Sequence, residues 1–291
     1  MSAQENSAPF LRIPPWLRTR IPCNRTYTAT RELIGDLNLH TVCQSAKCPN
    51  MFECFSSRTA TFLILGGTCT RNCAFCNIEP GDVLPPDAGE PQRVALAAAR
   101  LELKHVVITS VTRDDLPDGG AAHFAATIQA VRSRLPRCTV EVLIPDFQGD
   151  AAALQTVLQA RPDVLNHNVE TPPAHYSRIR PQADYSQSLE LLRRARAAGF
   201  TVKSGLMTGL GETDAEVLGV IDDLCATGCN IVTVGQYMRP SRRHPAVQRY
   251  VHPDMFEEYA AYGRARGIPH MFCAPLVRSS YNASMFVQEK N

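Results

Sequence analysis

Residues 61–76 read TFLILGGTCTRNCAFC, an apolar run followed at once by three closely spaced cysteines. The run over 61–66 has the length and apolar character of a buried strand. Cys69, Cys73 and Cys76 form a C-x3-C-x2-C motif directly after it, with Phe75 just before the last thiol. The stretch therefore predicts a strand that presents three thiols on one loop.

Short apolar runs and longer helical patterns alternate along the chain from residue 60 onward. Pro91 in a first turn, Gly199 just past a helix end, and a capping box of Thr213 with Glu216 mark helix boundaries. Strands are predicted at 61–66, 105–111, 139–145, 164–169, 201–208 and 231–236, and helices at 91–103, 120–134, 150–160, 186–198 and 213–226. Six strand-helix units predict a parallel sheet covered by helices. Periodicity leaves open a doubly wound sheet or a barrel with missing strands.

Each predicted strand is followed directly by segments of unusual chemistry. In chain order they are GGTCTRNCAFC, TSVTRDDLPDGG, PDFQGD, NHNVET, KSGLMTGLGE and GQYMRPSRRH. In parallel α/β folds the C-terminal ends of the strands form the functional face. These segments are therefore expected to converge on one site.

The first cysteine motif has the spacing of an iron-sulfur loop. Three thiolates on a short loop can each bind a different iron of a four-iron, four-sulfur cube, which leaves the fourth iron open to a substrate. The alternatives are structural thiols or zinc, and zinc sites usually show paired C-x2-C knuckles with a second pair or histidines further on. No second pair follows here, so the motif favours a cluster.

A second triplet, Cys43, Cys48 and Cys54, lies upstream in TVCQSAKCPNMFECF. Alone it would be as well explained by buried structural thiols. Its closeness to the first triplet favours a second cluster. The remaining cysteines, at positions 23, 138, 225, 229 and 273, show no cluster spacing and are predicted to be core or incidental.

Composition limits the class of protein. The chain has 291 residues, so one main domain is expected, and its net charge of +2 gives no general attraction to nucleic acid or an anionic membrane. Eleven cysteines without an export signal favour metal-binding thiolates over disulfides. The first 22 residues lack the apolar core of a secretory signal and no run reaches the length of a membrane span, so a cytoplasmic location is predicted.

The first cysteine loop resembles that of the radical S-adenosylmethionine superfamily, and the chain from about Leu11 to Ala283 is similar to the lipoyl synthase family within it. The upstream triplet and the RSSY motif at 278–281 carry this resemblance, together with TSVTRDDLPDGGAAHF, NHNVET, KSGLMTGLGE and GQYMRPSRRH in the same order. The resemblance implies a partial (β/α)6 TIM-type barrel at 60–250. An N-terminal extension at 1–59 and a C-terminal helix and RSSY segment at 251–291 would carry the auxiliary cluster ligands.

The resemblance also implies two four-iron, four-sulfur clusters and S-adenosylmethionine as cofactors. Cys69, Cys73 and Cys76 would hold the catalytic cube, whose open iron chelates the amino and carboxylate groups of S-adenosylmethionine before a 5'-deoxyadenosyl radical is released. The auxiliary cube would be held by Cys43, Cys48, Cys54 and Ser280. A serine alkoxide matches iron less well than a thiolate, so that corner of the cube should open more easily.

By the same resemblance, the expected activity is insertion of sulfur from the auxiliary cube at C6 and C8 of a protein-bound octanoyl-lysine. S-adenosylmethionine contacts are expected from Phe75, Ser110, Asn168, Glu170 and Lys203. For Glu170 and Lys203, a buried salt bridge between the two side chains is as well supported as a contact with S-adenosylmethionine. A basic group follows the sixth strand and consists of Arg239, Arg242, Arg243 and His244. The sequence does not decide whether this group contacts the carrier protein or lies on a solvated loop.

The implied partners are an octanoylated lipoyl carrier domain or H-protein, an electron donor such as ferredoxin or flavodoxin, and an iron-sulfur carrier that rebuilds the spent cluster. Neither nucleic acid nor a membrane is expected as a partner. Two rival functions remain at this stage. One is another sulfur-inserting radical enzyme, such as a methylthiotransferase or a biotin-synthase-like protein, and the other is a non-enzymatic iron-sulfur carrier.

Overall fold

The fold is organised around a mostly parallel sheet. The structure is a computed structural model and describes residues 11–19 and 24–286. The strands are β1 (His40–Thr41), β2 (Thr61–Ile64), β3 (Thr68–Cys69), β4 (Glu79–Pro80), β5 (His105–Ser110), β6 (Thr139–Leu143), β7 (Val164–Asn166), β8 (Thr201–Thr208), β9 (Ile231–Gln236) and β10 (His270–Cys273).

The main sheet has the order β1-β2-β5-β6-β7-β8-β9-β10. All its pairs are parallel except β1 with β2. Every residue of β2 and β9 is buried, as expected of strands covered on both faces. In the described part of the chain β1 and β10 end the sheet and no ladder joins them, so this is a partial barrel rather than a closed one.

Helices cover the outside of the sheet. They are α1 (Arg25–Asp36), α2 (Val42–Ser45), α3 (Met51–Ser56), α4 (Glu90–Arg100), α5 (Ala121–Arg134), α6 (Ala151–Gln159), α7 (Tyr176–Ile179), α8 (Tyr185–Ala197), α9 (Asp214–Ala226) and α10 (Pro253–Ala265). The five predicted helices correspond to α4, α5, α6, α8 and α9. Thr213 and Glu216 form the predicted capping box. None of the described helices is long and apolar enough to cross a bilayer.

The six predicted strands are present, and the sheet is wider than predicted. The sequence prediction missed β10, a four-residue strand with an exposed first residue, which pairs with β9. It also missed β1, which has only two residues. Conversely, the predicted strand 164–169 ends at Asn166. Beyond it, Glu170 has a φ of +67° and pairs with β8 through one isolated bridge to Leu206.

The terminal segments pack on the barrel from both sides. On the N-terminal side, β1 pairs with β2, and Arg93 Nε of α4 donates to the carbonyl of Leu37 at 2.9 Å. On the C-terminal side, Gly235 of β9 lets the chain approach closely, since a Cβ there would stand 2.1 Å from the carbonyl oxygen of Val277. Because β10 extends the main sheet beside β9, the predicted boundary at residue 250 separates consecutive strands of one sheet. The three-segment division stays a prediction, and residues 1–10, 20–23 (with Cys23) and 287–291 lie outside the described chain.

A buried ion pair lies between strands of the barrel. Lys203 Nζ donates to both oxygens of Glu141 at 2.9 and 3.1 Å, and both side chains are 1% exposed. Burial would raise the pKa of Glu141, but Lys203 and His105 together outweigh burial and hold the pKa below its ordinary value. The salt bridge considered between Glu170 and Lys203 was therefore wrong, because Lys203 pairs with Glu141 on β6.

Replacing Lys203 with Met is expected to lower the free energy of unfolding by about 3–5 kcal/mol, because the buried Glu141 carboxylate loses its nearest cation and keeps only His105, at 3.5 Å. The double variant Glu141→Leu with Lys203→Met removes both charges and should recover most of the loss. Denaturant unfolding of the three proteins checks this. Equal destabilisation in the single and double variants would contradict it.

Candidate active site

The first cysteine triplet lies in a tight loop at the C-terminal end of β2. Leu65 and Gly66 have φ values of +68° and +96°, which turn the chain away from the sheet. The loop then closes on itself, because β3, which contains Cys69, pairs with β4. Within it, the amide of Cys76 donates to the carbonyl of Cys73 at 3.0 Å. The three predicted thiols are thus brought onto one short loop.

The environment of these thiols fits an iron-sulfur cluster. The amides of Arg71 and Thr112 donate to Cys69 Sγ at 3.4 and 3.3 Å, and the amide of Ile78 donates to Cys76 Sγ at 3.5 Å. Such N–H···S bonds stabilise sulfur that carries negative charge. Burial, together with the charges of Cys73 and Cys69, raises the pKa of Cys76 to about 12. Bound iron would relieve this repulsion, and its binding would release the protons.

Arg71, between the first two cysteines, anchors the loop to two other strand ends. Its guanidinium donates to Asp114 at 2.6 and 2.9 Å and to Asp146 at 2.8 and 2.7 Å. The Asp146 side chain is 0% exposed. Burial would raise the pKa of Asp146, and the Arg71 hydrogen bonds hold it below its ordinary value instead. The ion pairs therefore connect the cysteine loop to the ends of β5 and β6.

The polar residues predicted to bind S-adenosylmethionine lie at strand ends near this loop. Asn168 Nδ2 donates to Glu170 Oε1 at 3.0 Å and to Ser279 Oγ at 2.7 Å. The pKa of Glu170 is raised by burial. Asn168 Oδ1 and Ser110 Oγ are buried and have no hydrogen-bond partner within the described chain. Unpaired buried polar atoms at this face fit a polar ligand with amino and carboxylate groups.

The other two predicted cofactor contacts have structural neighbours. Phe75 packs against a small apolar cluster that includes Ile179, Leu210 and Tyr237. Lys203 is held by Glu141, as described above. Their contacts with S-adenosylmethionine stay predictions.

The sequence analysis did not single out Arg180, and it placed His244 in the basic group without assigning it a partner. Arg180 Nη1 donates to the carbonyl of Asn168 at 3.0 Å, and its charge opposes the rise in the pKa of Cys73 that burial causes. His244 Nε2 lies 2.9 Å from the carbonyl oxygen of Cys76. Arg243 of the same basic group forms an exposed ion pair with Glu79 in β4. The basic group therefore contacts the cysteine loop, a role that no local pattern indicated.

The second triplet forms a site of its own beside the first. Burial and the charge of Cys48 raise the pKa of Cys43 to about 11, and burial with the charges of Cys43 and Cys48 raises that of Cys54 to about 12. These mutual effects show that the three thiols lie near one another. Asn77 Nδ2 donates to the carbonyl of Ser45 at 2.8 Å, which ties the two cysteine segments together.

Neither triplet is arranged around a single ion. Among the residues described, no three His, Cys, Asp or Glu side chains are placed to hold one metal ion. In a four-iron cube each thiolate binds its own iron, so the ligands stand farther apart than those of one ion.

The C-terminal segment joins the two sites. Asn50 Nδ2 donates to the carbonyl of Leu276 at 2.7 Å, and the hydroxyl of Tyr281 donates to Glu53 at 2.9 Å. Both partners in the N-terminal extension, Asn50 and Glu53, lie between Cys48 and Cys54 in the sequence. Between these contacts, Ser279 bonds to Asn168 of the first site. The next residue, Ser280, lines a cavity together with Cys54, where it was predicted to act as the fourth ligand.

Arg278 occupies the region between the two sites. The charges of Cys48 and Glu170 both act on its guanidinium. Burial nevertheless lowers the pKa of Arg278, and the two negative groups oppose that shift. One cation is therefore close enough to interact with the second triplet and with the strand-end carboxylate.

Comparison with known proteins agrees with this arrangement. The model of the Radical SAM superfamily matches residues 63–224. Streptococcus suis SuiB bound to S-adenosylmethionine has a TM-score of 0.60 at 10% identity, covering 72% of this chain and 49% of that chain. Methylornithine synthase (PylB) has a TM-score of 0.54 at 14% identity, covering 91% of this chain and 89% of that chain. The fold and the cysteine loop define a radical S-adenosylmethionine enzyme, a class that uses a four-iron, four-sulfur cluster.

The full-length relatives narrow the class. The family model for the N-terminal domain of lipoyl synthase matches residues 2–48. Lipoyl synthase of Nitratidesulfovibrio vulgaris (strain DP4) is 72% identical over 97% of this chain and 95% of its own length. Lipoyl synthase of Chlorobium chlorochromatii (strain CaD3) is 54% identical over 96% of each. The chain belongs to the lipoyl synthase family.

Replacing Arg71 with Ala should destabilise the cysteine loop by about 3–5 kcal/mol, because the buried Asp146 carboxylate loses the cation with which it pairs. The expected result is faster loss of iron from a Cys48→Ala background, which keeps the first triplet intact. Arg132→Ala is the matched control, since Arg132 pairs with Asp163 away from the loop. Iron retained per chain during anaerobic gel filtration measures the effect. Equal retention in both Arg variants would contradict the anchoring role.

Proposed function

We propose that this protein is a sulfurtransferase that converts a protein-bound octanoyl-lysine into lipoyl-lysine by inserting two sulfur atoms, at C6 and C8. The sulfur would come from an auxiliary four-iron, four-sulfur cluster held by Cys43, Cys48, Cys54 and Ser280. The observation that carries the proposal is the contact of residues 276–281 with both cysteine sites. An enzyme that takes its sulfur from one cluster and its radical from another needs both beside one substrate.

Separate groups of residues would hold the catalytic cluster, bind S-adenosylmethionine and exclude water. Cys69, Cys73 and Cys76 would hold the catalytic cluster, which with S-adenosylmethionine would supply a carbon radical able to take hydrogen from the unactivated carbons C6, a methylene, and C8, a methyl. Ser110, Asn168 and Glu170 would hold the polar groups of S-adenosylmethionine, in keeping with the unpaired atoms of the first two. The apolar cluster around Phe75 would exclude water from the reacting atoms.

The auxiliary site suits a cluster that is dismantled during the reaction. Ser280 would contribute an oxygen ligand, which matches iron less well than the three thiolates do. Arg278 lies close enough to Cys48 to interact with its charge, and it would stabilise the negative charge that remains on the ligands. The chain thus provides three strong ligands and one weaker one.

The open sheet gives the substrate a way to the site. Because no described ladder joins β1 to β10, the long arm of an octanoylated carrier domain or H-protein can reach the strand ends there. Ferredoxin or flavodoxin would supply electrons, an iron-sulfur carrier would rebuild the auxiliary cluster, and the reaction would take place in the cytoplasm.

The decisive experiment is anaerobic reconstitution followed by reaction with dithionite, S-adenosylmethionine and an octanoyl-lysine peptide. We expect about eight irons per chain and a peptide that gains two sulfur atoms. Cys48→Ala should reduce the iron to about four and abolish sulfur insertion while S-adenosylmethionine cleavage continues. Mass spectrometry of the peptide and an iron assay check both results.

Cys225→Ala is the matched control, because Cys225 lies on α9 outside both triplets. It should keep full iron content and activity. About four irons in the parent protein, or S-adenosylmethionine cleavage with no sulfur in the peptide, would contradict the proposal and indicate a different substrate. No cleavage at all in the reduced, loaded protein would instead favour an iron-sulfur carrier.

A further inference from the structure

Hydrogen bonds hold the main chain at Asn168 in place. Arg180 Nη1 donates to the carbonyl oxygen of Asn168 at 3.0 Å. Two residues further on, the amide of Glu170 donates to the carbonyl of Gly205 in β8 at 2.9 Å, and the amide of Met207 donates to the carbonyl of Glu170 at 2.8 Å. With the main chain held, the chemistry that Asn168 presents depends on the direction of its side-chain amide.

Both hydrogens of that amide are used within the protein. Asn168 Nδ2 donates to Glu170 Oε1 at 3.0 Å and to Ser279 Oγ at 2.7 Å. An amide nitrogen has two hydrogens to donate, so these two acceptors account for both. A carboxylate oxygen can only accept, so Glu170 requires the nitrogen of the amide, rather than its oxygen, on its side. Burial raises the pKa of Glu170, and the charges of Arg180 and Arg278 oppose that rise.

The amide oxygen is left for a ligand. Asn168 Oδ1 is buried and has no hydrogen-bond partner within the described chain, although an amide oxygen can accept two bonds. It lies over Gly205, since a Cβ added there would stand 3.2 Å from it. The hydroxyl of Thr233 lies over the same glycine, but it donates to the carbonyl of Ser204 instead. A buried acceptor of this kind requires a donor from outside the chain, such as the amino group or a ribose hydroxyl of S-adenosylmethionine.

Ser279 belongs to the segment that reaches the second cysteine site. The N-terminal extension binds residues 276–281 near both ends of that segment. Ser280, the next residue in the chain, is the fourth ligand that we propose for the auxiliary cluster. The hydroxyl that holds the Asn168 amide therefore comes from the part of the chain that serves the other site.

From this geometry we propose that Ser279 is a positioning residue for S-adenosylmethionine. It holds the amide of Asn168 with the oxygen available to the ligand, so the segment that carries Ser280 also completes the S-adenosylmethionine site. This inference rests on the proposed function, which places Asn168 among the S-adenosylmethionine contacts. Without the Ser279 hydroxyl the amide can rotate, and only the fraction of molecules with the oxygen in place binds the ligand well.

The contact would link the source of the radical to the source of the sulfur. S-adenosylmethionine binds well while the C-terminal segment is docked, and the docked segment is also what brings Ser280 to the auxiliary cluster. Because coupling between two binding events is reciprocal, bound S-adenosylmethionine would in turn hold the segment in place. The radical precursor is then favoured in molecules whose auxiliary site is assembled.

The test is a double-variant cycle on the Kd for S-adenosylmethionine. The full chain is reconstituted anaerobically and kept oxidised, without dithionite, so that the ligand binds and is not cleaved. Equilibrium dialysis gives the Kd of the parent, Asn168→Ala, Ser279→Ala and the double variant. Ser279→Thr keeps a hydroxyl at the position. Ser284→Ala is the matched control, since it removes an exposed serine hydroxyl further along the C-terminal segment.

Ser279→Ala should raise the Kd about tenfold and Asn168→Ala at least as much, while Ser279→Thr stays within about twofold of the parent and Ser284→Ala is unchanged. The double variant should bind no more weakly than Asn168→Ala alone, because Ser279 acts through that amide. Iron content and thermal unfolding confirm that each variant is loaded and folded.

Two results would overturn the positioning role while leaving the proposed function standing. One is parent-like binding by Ser279→Ala, and the other is an equal loss from Ser279→Ala whether or not Asn168 is present. Parent-like binding by Asn168→Ala would be a different failure. It would overturn the proposed contact between Asn168 and S-adenosylmethionine, and this inference with it.

Discussion

The hydrogen bonds of residues 276–281 are the constraint on which both sites depend. Asn50 and Glu53 bind this segment from the N-terminal extension, and Asn168 binds it from the barrel. The extension is short, and α2 and α3 have only four and six residues, too few for stable helices alone. Their position therefore comes from these tertiary contacts. Together with the hydrogen bond from Asn77 to Ser45, these contacts hold the second triplet close to the first.

Close approach of the backbone makes this arrangement possible. Gly235 in β9 leaves room for the carbonyl of Val277, and any side chain at that position would collide with it. Gly205 in β8 is similarly close to Thr233 and Asn168. These two strands therefore provide a smooth wall on which the C-terminal segment and the strand-end residues pack. The site at the strand ends therefore requires glycine at positions 205 and 235 as well as its polar side chains.

The sequence predicted the parts of the protein whose chemistry is local. The loop after β2 was predicted because three thiols fall within eight residues, and the helices were predicted because each carries its own periodicity and caps. The ion pairs of Arg71 and the contact of His244 were not predicted, because the partners are distant in sequence. Asp114 and Asp146 lie 43 and 75 residues from Arg71, and Cys76 lies 168 residues from His244. Lys203 was assigned the wrong partner because alternation along a strand shows which side chains point inward and not which inward neighbours meet. The strand β10 was missed because only one of its four residues is fully buried, whereas β2, of the same length, is apolar and buried throughout.

The central claim is that two iron-sulfur clusters lie within one chain, one on the loop after β2 and one between the N-terminal extension and Ser280. Anomalous X-ray diffraction at the iron edge, from crystals of the anaerobically reconstituted protein, tests it directly. Two separate iron peaks are predicted, one beside Cys69, Cys73 and Cys76 and one between Cys54 and Ser280. A single peak at the first loop, with the second triplet free of iron in fully reconstituted protein, would contradict the claim.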